Sequence, residues 1–140
     1  MMLDFYIDDR EAKHALLKAI WNNRDRLIFT FFRKECIRRC KITLHLGKYV
    51  IRAEVSLTMG DRYIMFNVYK RKMFGLYKSY LGGVQVECIY GDSLEAIVSN
   101  YIDAKVTELR KSIDEAKEAA HREVNAEFIG YLKDNCSISD

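Results

Sequence analysis

The distribution of proline and glycine constrains this chain more than any other feature of its sequence. None of the 140 residues is proline, and six of the seven glycines lie in the window from Gly47 to Gly91. These two residue types are the ones that most often interrupt regular secondary structure. The sequence therefore predicts a helical segment at each end of the chain and a turn-rich segment of β-hairpins between them.

The composition is typical of a single globular domain that spans residues 1–140. Hydrophobic residues make up 49% of the chain and charged residues 31%, which separates it from disordered proteins. No apolar run reaches the roughly 18 residues that a membrane span needs, so we expect no membrane partner. The first residues lack the pattern of a signal peptide. Four cysteines in that context are typical of reduced thiols, which favours a cytoplasmic protein.

The two parts of the sequence carry opposite net charge. Residues 1–91 contain 17 Lys and Arg against 9 Asp and Glu, whereas residues 92–140 contain 6 against 11. An anionic partner for the basic part is one explanation of this asymmetry. The other is that the two parts complement each other within the fold or across a dimer.

The N-terminal arm, residues 1–40, is predicted to be helical over residues 9–39. Its apolar residues recur close to the spacing of one buried helical stripe, at Leu17, Ile20, Trp21, Ile28, Phe31, Phe32 and Ile37. Two alternatives stay open. The helix can end at Asn22-Asn23, because asparagine is a poor interior helix residue. Residues 27–32 can also form a strand, because their residue types favour one.

Residues 41–91 are predicted to form an antiparallel five-stranded β-meander. The first two strands alternate apolar and polar side chains around a two-residue turn at Gly47-Lys48. This register places Lys41 opposite Glu54, which is a favourable cross-strand charge pair.

Two further turns complete the predicted meander, at residues 58–61 and at Gly82-Gly83. The second turn would place Lys78 opposite Glu87. One face of the sheet is then consistently apolar, whereas the other mixes aromatic and charged side chains. Because a solvated sheet face is usually polar, we expect a helix, a second subunit or a partner to cover this second face.

Residues 92–140 are predicted to form a long C-terminal helix that begins at the capping sequence Asp92-Ser93-Leu94-Glu95. Apolar residues then follow spacings of four and three, typical of a short coiled-coil seam: Ile102, Val106, Leu109, Ile113, Ala116 and Ala120. A helix of about forty residues is about 60 Å long, more than a domain of this size accommodates. We therefore expect the helix to project and to form a homodimer through this seam, with a break or a fold-back as the alternatives.

Candidate catalytic chemistry is sparse. His45, Arg52, Glu54 and Glu87 would share one sheet face, an arrangement that can place a general base near carboxylates. A small enzyme with an unrecognised site therefore stays open as a second alternative. The sequence nevertheless contains no nucleophile motif and no glycine loop that binds phosphate, so we predict no catalytic residue and no cofactor.

The cysteines are the candidate metal ligands. In the predicted helix Cys36 and Cys40 would be one turn apart and could share a zinc ion. A structural zinc site takes four ligands, and the spacings here are not those of a zinc-binding motif. We therefore predict buried or unreactive thiols and no metal site.

Two basic segments form the predicted partner-binding surface. Residues 62–80 contain no acidic residue and interleave cations with tyrosine and phenylalanine, a mixture that nucleic-acid-binding surfaces use. A second basic cluster, residues 33–41, would end the first helix. The alternative is that these residues only build strands and solvate a turn. The candidate contact residues are Arg62, Tyr63, Tyr69, Lys70, Arg71, Lys72, Lys78, Tyr80, Arg33, Lys34, Arg38 and Arg39.

The sequence therefore predicts a cytoplasmic α+β domain with an N-terminal helix, an antiparallel five-stranded β-meander and a long, dimerising C-terminal helix. The expected function is that of a non-enzymatic interaction protein. It would be a regulator or inhibitor, of the phage type, that occupies the surface of a host protein or nucleoprotein complex. Direct binding of nucleic acid through the basic aromatic surface is the alternative.

Overall fold

The computed structural model describes residues 9–57, 62–88 and 93–135. The elements in chain order are α1 (Arg10–Asn22), β1 (Ile28–Lys34), β2 (Ile37–Leu46), β3 (Tyr49–Ser56), β4 (Tyr63–Lys72), β5 (Tyr77–Glu87) and α2 (Leu94–Asn135). The strands form one antiparallel sheet in the order β1-β2-β3-β4-β5. The predicted α+β class, with a five-stranded antiparallel sheet between an N-terminal helix and a long C-terminal helix, is confirmed.

The chain divides into two compact units, Met1–Val106 and Thr107–Asp140. In the first unit, one face of the sheet packs against α1 and the first part of α2 to form the hydrophobic core. Its largest fully buried side chains include Phe66, Leu17, Ile20, Ile42, Leu44, Ile64 and Ile102. In the described part of the chain, no helix has the length and apolarity to cross a membrane.

Helix α1 ends at Asn22, so the predicted helix over residues 9–39 is wrong in its second part. The Asp9 carboxylate caps the N-terminus by accepting a hydrogen bond of 2.9 Å from a backbone N–H of the first turn. At the other end, the side-chain amide of Asn23 donates to the carbonyl of Ala19 at 2.8 Å. The backbone N–H of Asn23 donates to the same carbonyl at 3.1 Å. Asparagine favours a helix end because its side chain competes for backbone groups in this way.

The segment after α1 is β1, not a continuation of the helix. Phe29 and Phe31 pack against the core, whereas Ile28 and Thr30, the residues that precede them, are exposed. This alternation has the period of two that belongs to a strand, not the period of 3.6 that belongs to a helix. Pairing with β2 along the whole of Ile28–Lys34 satisfies the backbone of the segment. The basic cluster at residues 33–41 therefore lies in a hairpin and not at a helix end.

The register of β2 with β3 is as predicted. Lys41 lies opposite Glu54, and Leu46 lies opposite Tyr49 across the turn at Gly47-Lys48. Gly47 has a φ of 58°, a conformation that glycine adopts without steric cost. The predicted turn at residues 58–61 lies outside the described residues.

The predicted turn at Gly82-Gly83 is wrong, since both glycines lie inside β5. The hairpin turns earlier, directly after β4, so that Lys78 lies opposite Arg71 and not opposite Glu87. A Cβ atom at Gly83 would lie 2.8 Å from Sδ of Met65. Glycine is therefore used here for close side-chain packing in a strand interior, and not for a turn.

Helix α2 contains 42 residues, which corresponds to about 63 Å. Its first turn is capped by Ser93, whose hydroxyl accepts a hydrogen bond of 3.2 Å from the N–H of Ala96. Asp92, the first residue of the predicted capping sequence, lies outside the described residues. Ile102 and Val106 are only 0% and 7% exposed and belong to the hydrophobic core of the first unit. Their assignment to a dimer seam is therefore wrong, because the sheet of their own chain covers them.

The remaining seam residues lie in the second unit and are accessible to different degrees. Leu109 and Ile113 are half-buried, whereas Ala116 and Ala120 are exposed. Further along the helix, Val124 and Phe128 are 62% and 60% exposed. The part of the seam that can meet a second helix therefore begins at Leu109.

Candidate functional site

The candidate site is the face of the sheet that points away from the hydrophobic core. Side chains alternate between the two faces of a strand, so the residues between the core side chains of β2, β3 and β4 point outward. Most of them are half-buried or exposed, whereas Val50 of β3 is buried on this outward face. In the first unit, α1 and residues 94–106 pack on the core face. Five outward cations define what we call the cationic face: Arg39, Lys41, Arg52, Arg71 and Lys78.

Positive charges on this face lie close to one another across the strands. Arg71 lies directly opposite Lys78 in the β4–β5 ladder, and like charges in directly opposite positions destabilise a sheet. The outward carboxylates are fewer. Glu54 is exposed beside Lys41, and Glu87 lies opposite Tyr63 near the end of the sheet.

The ionisation of His45 and Lys78 reflects this crowding of charge. The guanidinium of Arg71 donates a hydrogen bond to Nδ1 of His45. Desolvation lowers the pKa of His45, and the charges of Arg71, Lys78 and Arg52 lower it further. Desolvation likewise lowers the pKa of Lys78, with added contributions from Arg52, Arg71 and Lys41. The cationic face therefore carries positive charge that its own carboxylates do not compensate.

Two tyrosines lie among the cations as a packed pair. The rings of Tyr69 and Tyr80 have centroids 5.5 Å apart and planes tilted by 52°. The Tyr80 hydroxyl donates to Oδ1 of Asn67 at 3.3 Å, and the Arg52 guanidinium lies 5.8 Å from the centroid of the Tyr69 ring. Because Gly83 has no Cβ, the Asn67 and Tyr80 side chains can approach its backbone closely.

A shallow cavity of about 290 Å³ opens on the cationic face, lined by Lys41, Arg52, Ala53, Glu54, Met65, Asn67 and Tyr69. Within the described part of the chain, the buried Nε of Arg52 has no hydrogen-bond partner. A guanidinium with a free N–H beside a lysine can bind a carboxylate or a phosphate through charge-assisted hydrogen bonds. The cavity can therefore bind one acidic group of a larger partner.

Comparison of the chain with models of protein families, with curated proteins and with solved structures finds no match.

The structure brings some of the predicted contact residues together and leaves others apart. Tyr69, Arg71, Lys78, Tyr80 and Arg39 point outward on one face, as members or neighbours of the cationic face. The others lie at the ends of strands: Arg33, Lys34 and Arg38 at the β1–β2 hairpin, Arg62 and Tyr63 at the start of β4, and Lys70 and Lys72 at its end.

Two central members of the cationic face, Lys41 and Arg52, are absent from the candidate contact residues. Lys41 ends the basic cluster of residues 33–41, whereas Arg52 lies in neither basic segment. The signal that identifies them is strand parity. In the predicted register, every second residue of β2 and β3 shares a face with Tyr69 and Tyr80.

The four candidate catalytic residues do not form an acid–base pair. His45 has Arg71 as its hydrogen-bond partner, and Glu54 lies opposite Lys41. Glu87 lies opposite Tyr63 and not opposite the predicted lysine. A histidine of lowered pKa beside cations is held neutral, whereas a carboxylate partner would stabilise its protonated form.

The two cysteines do not share a helix face, because their segment is a hairpin. Cys36 is exposed in the β1–β2 turn, where its φ is 64°. Cys40 is buried in the core, and its burial raises the pKa of the thiol to about 11. In residues 9–57, 62–88 and 93–135, no group of three or more His, Cys, Asp or Glu side chains could hold a metal ion.

Proposed function

We propose that this chain is a non-enzymatic binding protein that places the cationic face of its sheet against the acidic surface of a partner protein. The observation that carries the proposal is the concentration of like charge on an outward sheet face. Arg71 and Lys78 lie directly opposite each other, and the pKa values of His45 and Lys78 are both lowered. Folding alone gains nothing from this arrangement, whereas an anionic partner would relieve the repulsion.

The tyrosine pair supports a protein partner over a nucleic acid. Tyr69 and Tyr80 are half-buried, tilted against each other and tied to Asn67 by a hydrogen bond. Such pre-ordered aromatic side chains are the residues that anchor protein interfaces, because little side-chain entropy is lost when they are covered. A platform for nucleobases needs an open ring face, and here the two rings partly cover each other. Occupation of a partner's surface in this way is how a small regulator or inhibitor acts.

Single-stranded nucleic acid is the second candidate partner. The observation that favours it is the proximity of a cation to an aromatic ring on the same face, with the Arg52 guanidinium 5.8 Å from the Tyr69 ring centroid. Proteins that bind single strands combine these two groups, since cations contact phosphates and rings stack on bases. The salt dependence of binding separates the two candidates, because the release of counterions makes binding to nucleic acid steeply sensitive to salt.

We also propose that the chain forms a homodimer through the part of α2 that follows Val106. The remaining seam residues, Leu109, Ile113, Ala116 and Ala120, keep the spacings of four and three. Four more apolar side chains of this helix are more than half exposed: Val124, Phe128, Ile129 and Tyr131. A second copy of the helix would cover a stripe of this kind in a coiled coil.

The proposed function can be tested with a triple variant that neutralises the cationic face, Arg39→Gln, Lys41→Gln and Arg52→Gln. The matched control, Lys18→Gln, Lys111→Gln and Arg122→Gln, removes three exposed cations from the helices. Both variants lower the net charge by three, so a difference between them reports position and not total charge. Far-UV circular dichroism checks that both variants are folded.

Binding is measured by affinity capture from an extract of the source cell, with and without nuclease, and then with the captured partner at several salt concentrations. We expect the face variant to weaken binding by about 10-fold to 100-fold, or about 1.4 to 2.8 kcal/mol, and the control to bind like the wild type. Capture that survives nuclease supports the protein partner, whereas capture that nuclease abolishes supports nucleic acid. Equal binding by the two triple variants contradicts a role for the cationic face.

A further inference from the structure

The tip of the β4–β5 hairpin exposes three large apolar side chains side by side. Met73, Phe74 and Leu76 are 60%, 108% and 83% exposed, so most of their surface is accessible to solvent. The last ladder pair of the hairpin is Lys72 with Tyr77, and residues 73–76 form the turn beyond it. Single exposed apolar residues are ordinary on a protein surface, but three in one four-residue turn form a patch.

The backbone of this turn is in an unfavourable conformation for the residues that occupy it. Met73 and Phe74 have φ values of 54° and 58°, in the left-handed region that glycine and asparagine adopt at low cost. Each such residue costs of order 1 kcal/mol. Asn-Gly at these positions would form the same turn with less strain and without exposed apolar surface. The stability of the fold therefore does not explain methionine and phenylalanine here.

The hairpin projects past its neighbouring strands, which explains why the tip is uncovered. The β2–β3 turn ends alongside it, where the carbonyl of Lys48 accepts a hydrogen bond of 2.8 Å from the N–H of Arg71. The last residue of β4, Lys72, pairs with Tyr77 of β5, so the tip is supported by its own hairpin.

A collar of cations surrounds the hairpin directly behind the apolar tip. Along β4, Lys70 and Lys72 alternate with Arg71, so their side chains leave from both faces of the strand. Lys78 adds a fourth cation from β5, opposite Arg71. At about 3.3 Å per residue, the collar lies between about 3 Å and about 10 Å behind the turn.

We propose that this hairpin tip inserts into the surface of an anionic lipid bilayer. A bilayer presents anionic headgroups first and hydrocarbon about 5–10 Å deeper, and the hairpin presents its apolar tip and its cations in the matching order and spacing. Insertion of the three apolar side chains to this depth brings the cations to the level of the phosphates. The proposal needs no membrane span. The collar shares Arg71 and Lys78 with the cationic face, whose other members, Arg39, Lys41 and Arg52, lie elsewhere on the sheet.

The test is co-sedimentation of the full-length chain with vesicles of phosphatidylcholine, alone or with about 30% phosphatidylserine. Phe74→Ser with Leu76→Ser removes the apolar tip. Phe74→Leu with Leu76→Phe is the matched control, because it exchanges the two side chains and keeps the apolar surface. Since neither side chain packs in the core, thermal unfolding should be nearly unchanged in both variants.

We expect the wild type to bind anionic vesicles and not neutral ones, the serine variant to bind at least about tenfold more weakly, and the exchange variant to bind within about twofold of the wild type. In a Phe74→Trp variant, lipids brominated near the headgroup end of the acyl chain should quench the added fluorescence. Absence of binding to anionic vesicles overturns the proposal, as would be the case if the tip instead fills a pocket of a protein. Equal binding by the serine variant and the wild type also overturns it, because charge alone would then account for the attraction.

Discussion

The guanidinium of Arg71 on β4 reaches across β3 and donates a hydrogen bond to Nδ1 of His45 on β2. Arginine has no acceptor, so this nitrogen of His45 must be unprotonated. The hydrogen bond therefore requires a neutral imidazole. A second proton on the ring would break the bond and would place another positive charge beside Arg71.

This relationship predicts that acid weakens the fold through His45. The pKa of His45 is lowered in the folded state from 6.5, so the unfolded chain takes up the proton first as the pH falls. The contribution of His45 to the free energy of unfolding is therefore complete above about pH 6.5 and is lost as the pH falls through the lowered folded pKa. Urea unfolding at a series of pH values should show this decrease, and His45→Gln should make it shallower. Identical slopes in both proteins between pH 7 and pH 5 would refute the prediction.

Neutralising Lys78 should stabilise the fold while it weakens binding of an anionic partner. Lys78 lies opposite Arg71, and desolvation together with three neighbouring cations lowers its pKa. Removal of a like charge from a directly opposed pair is worth about 0.2–1 kcal/mol. We therefore expect Lys78→Gln to raise the midpoint of urea unfolding. The control is Lys111→Gln on the exposed surface of α2, which should leave the midpoint unchanged.

Two apolar positions on α2 should respond to mutation in different ways. Ile102 is 0% exposed in the core of its own chain, so Ile102→Ala should lower the free energy of unfolding by about 2–5 kcal/mol.

Leu109→Glu with Ile113→Glu should instead place charge in the proposed dimer seam. Light scattering should then change from the mass of a dimer to that of a monomer. A wild-type monomer at high micromolar concentration contradicts the dimer.

Alanine should have opposite effects at two glycines. A Cβ at Gly83 would lie 2.8 Å from Sδ of Met65 and 3.1 Å from Oδ1 of Asn67, so Gly83→Ala should destabilise the fold by about 1–3 kcal/mol. A Cβ at Gly130 meets nothing within 4 Å, and this residue lies inside α2. Gly130→Ala should therefore stabilise the helix by about 0.5–1 kcal/mol. Thermal unfolding measures both changes, and a neutral Gly83→Ala would show that Met65 moves away without cost.

The thiols of Cys36 and Cys40 should react at very different rates. Cys36 is exposed in a turn, whereas burial of Cys40 raises the pKa of its thiol to about 11 and leaves almost no thiolate at neutral pH. A thiol-specific reagent should modify Cys36 in the native protein and Cys40 only after unfolding. Mass spectrometry of the labelled peptides distinguishes the two sites, and rapid labelling of Cys40 in the native state contradicts the described burial.

The sequence pattern alone predicted the features that depend on residues close together in the chain. Alternation around Gly47-Lys48 was sufficient to predict the β2–β3 register, because a two-residue turn and a buried face leave only one pairing. The same parity places Tyr69, Tyr80 and Arg52 on one face of the sheet. The long C-terminal helix followed from the absence of proline, from the presence of Gly130 as its one glycine, and from the capping sequence Asp92-Ser93-Leu94-Glu95.

The tertiary structure decided the features whose local preferences are ambiguous. Residues 27–32 suit a helix or a strand, and the pairing of β1 with β2 selects the strand. Gly82-Gly83 suits a turn or a closely packed strand, and the neighbouring side chains of Met65 and Asn67 select the strand. Ile102 fits a dimer seam or a core equally well, because an apolar stripe does not specify which surface covers it. The sheet that covers it, like the face on which the cations gather, is built from residues far away in the sequence.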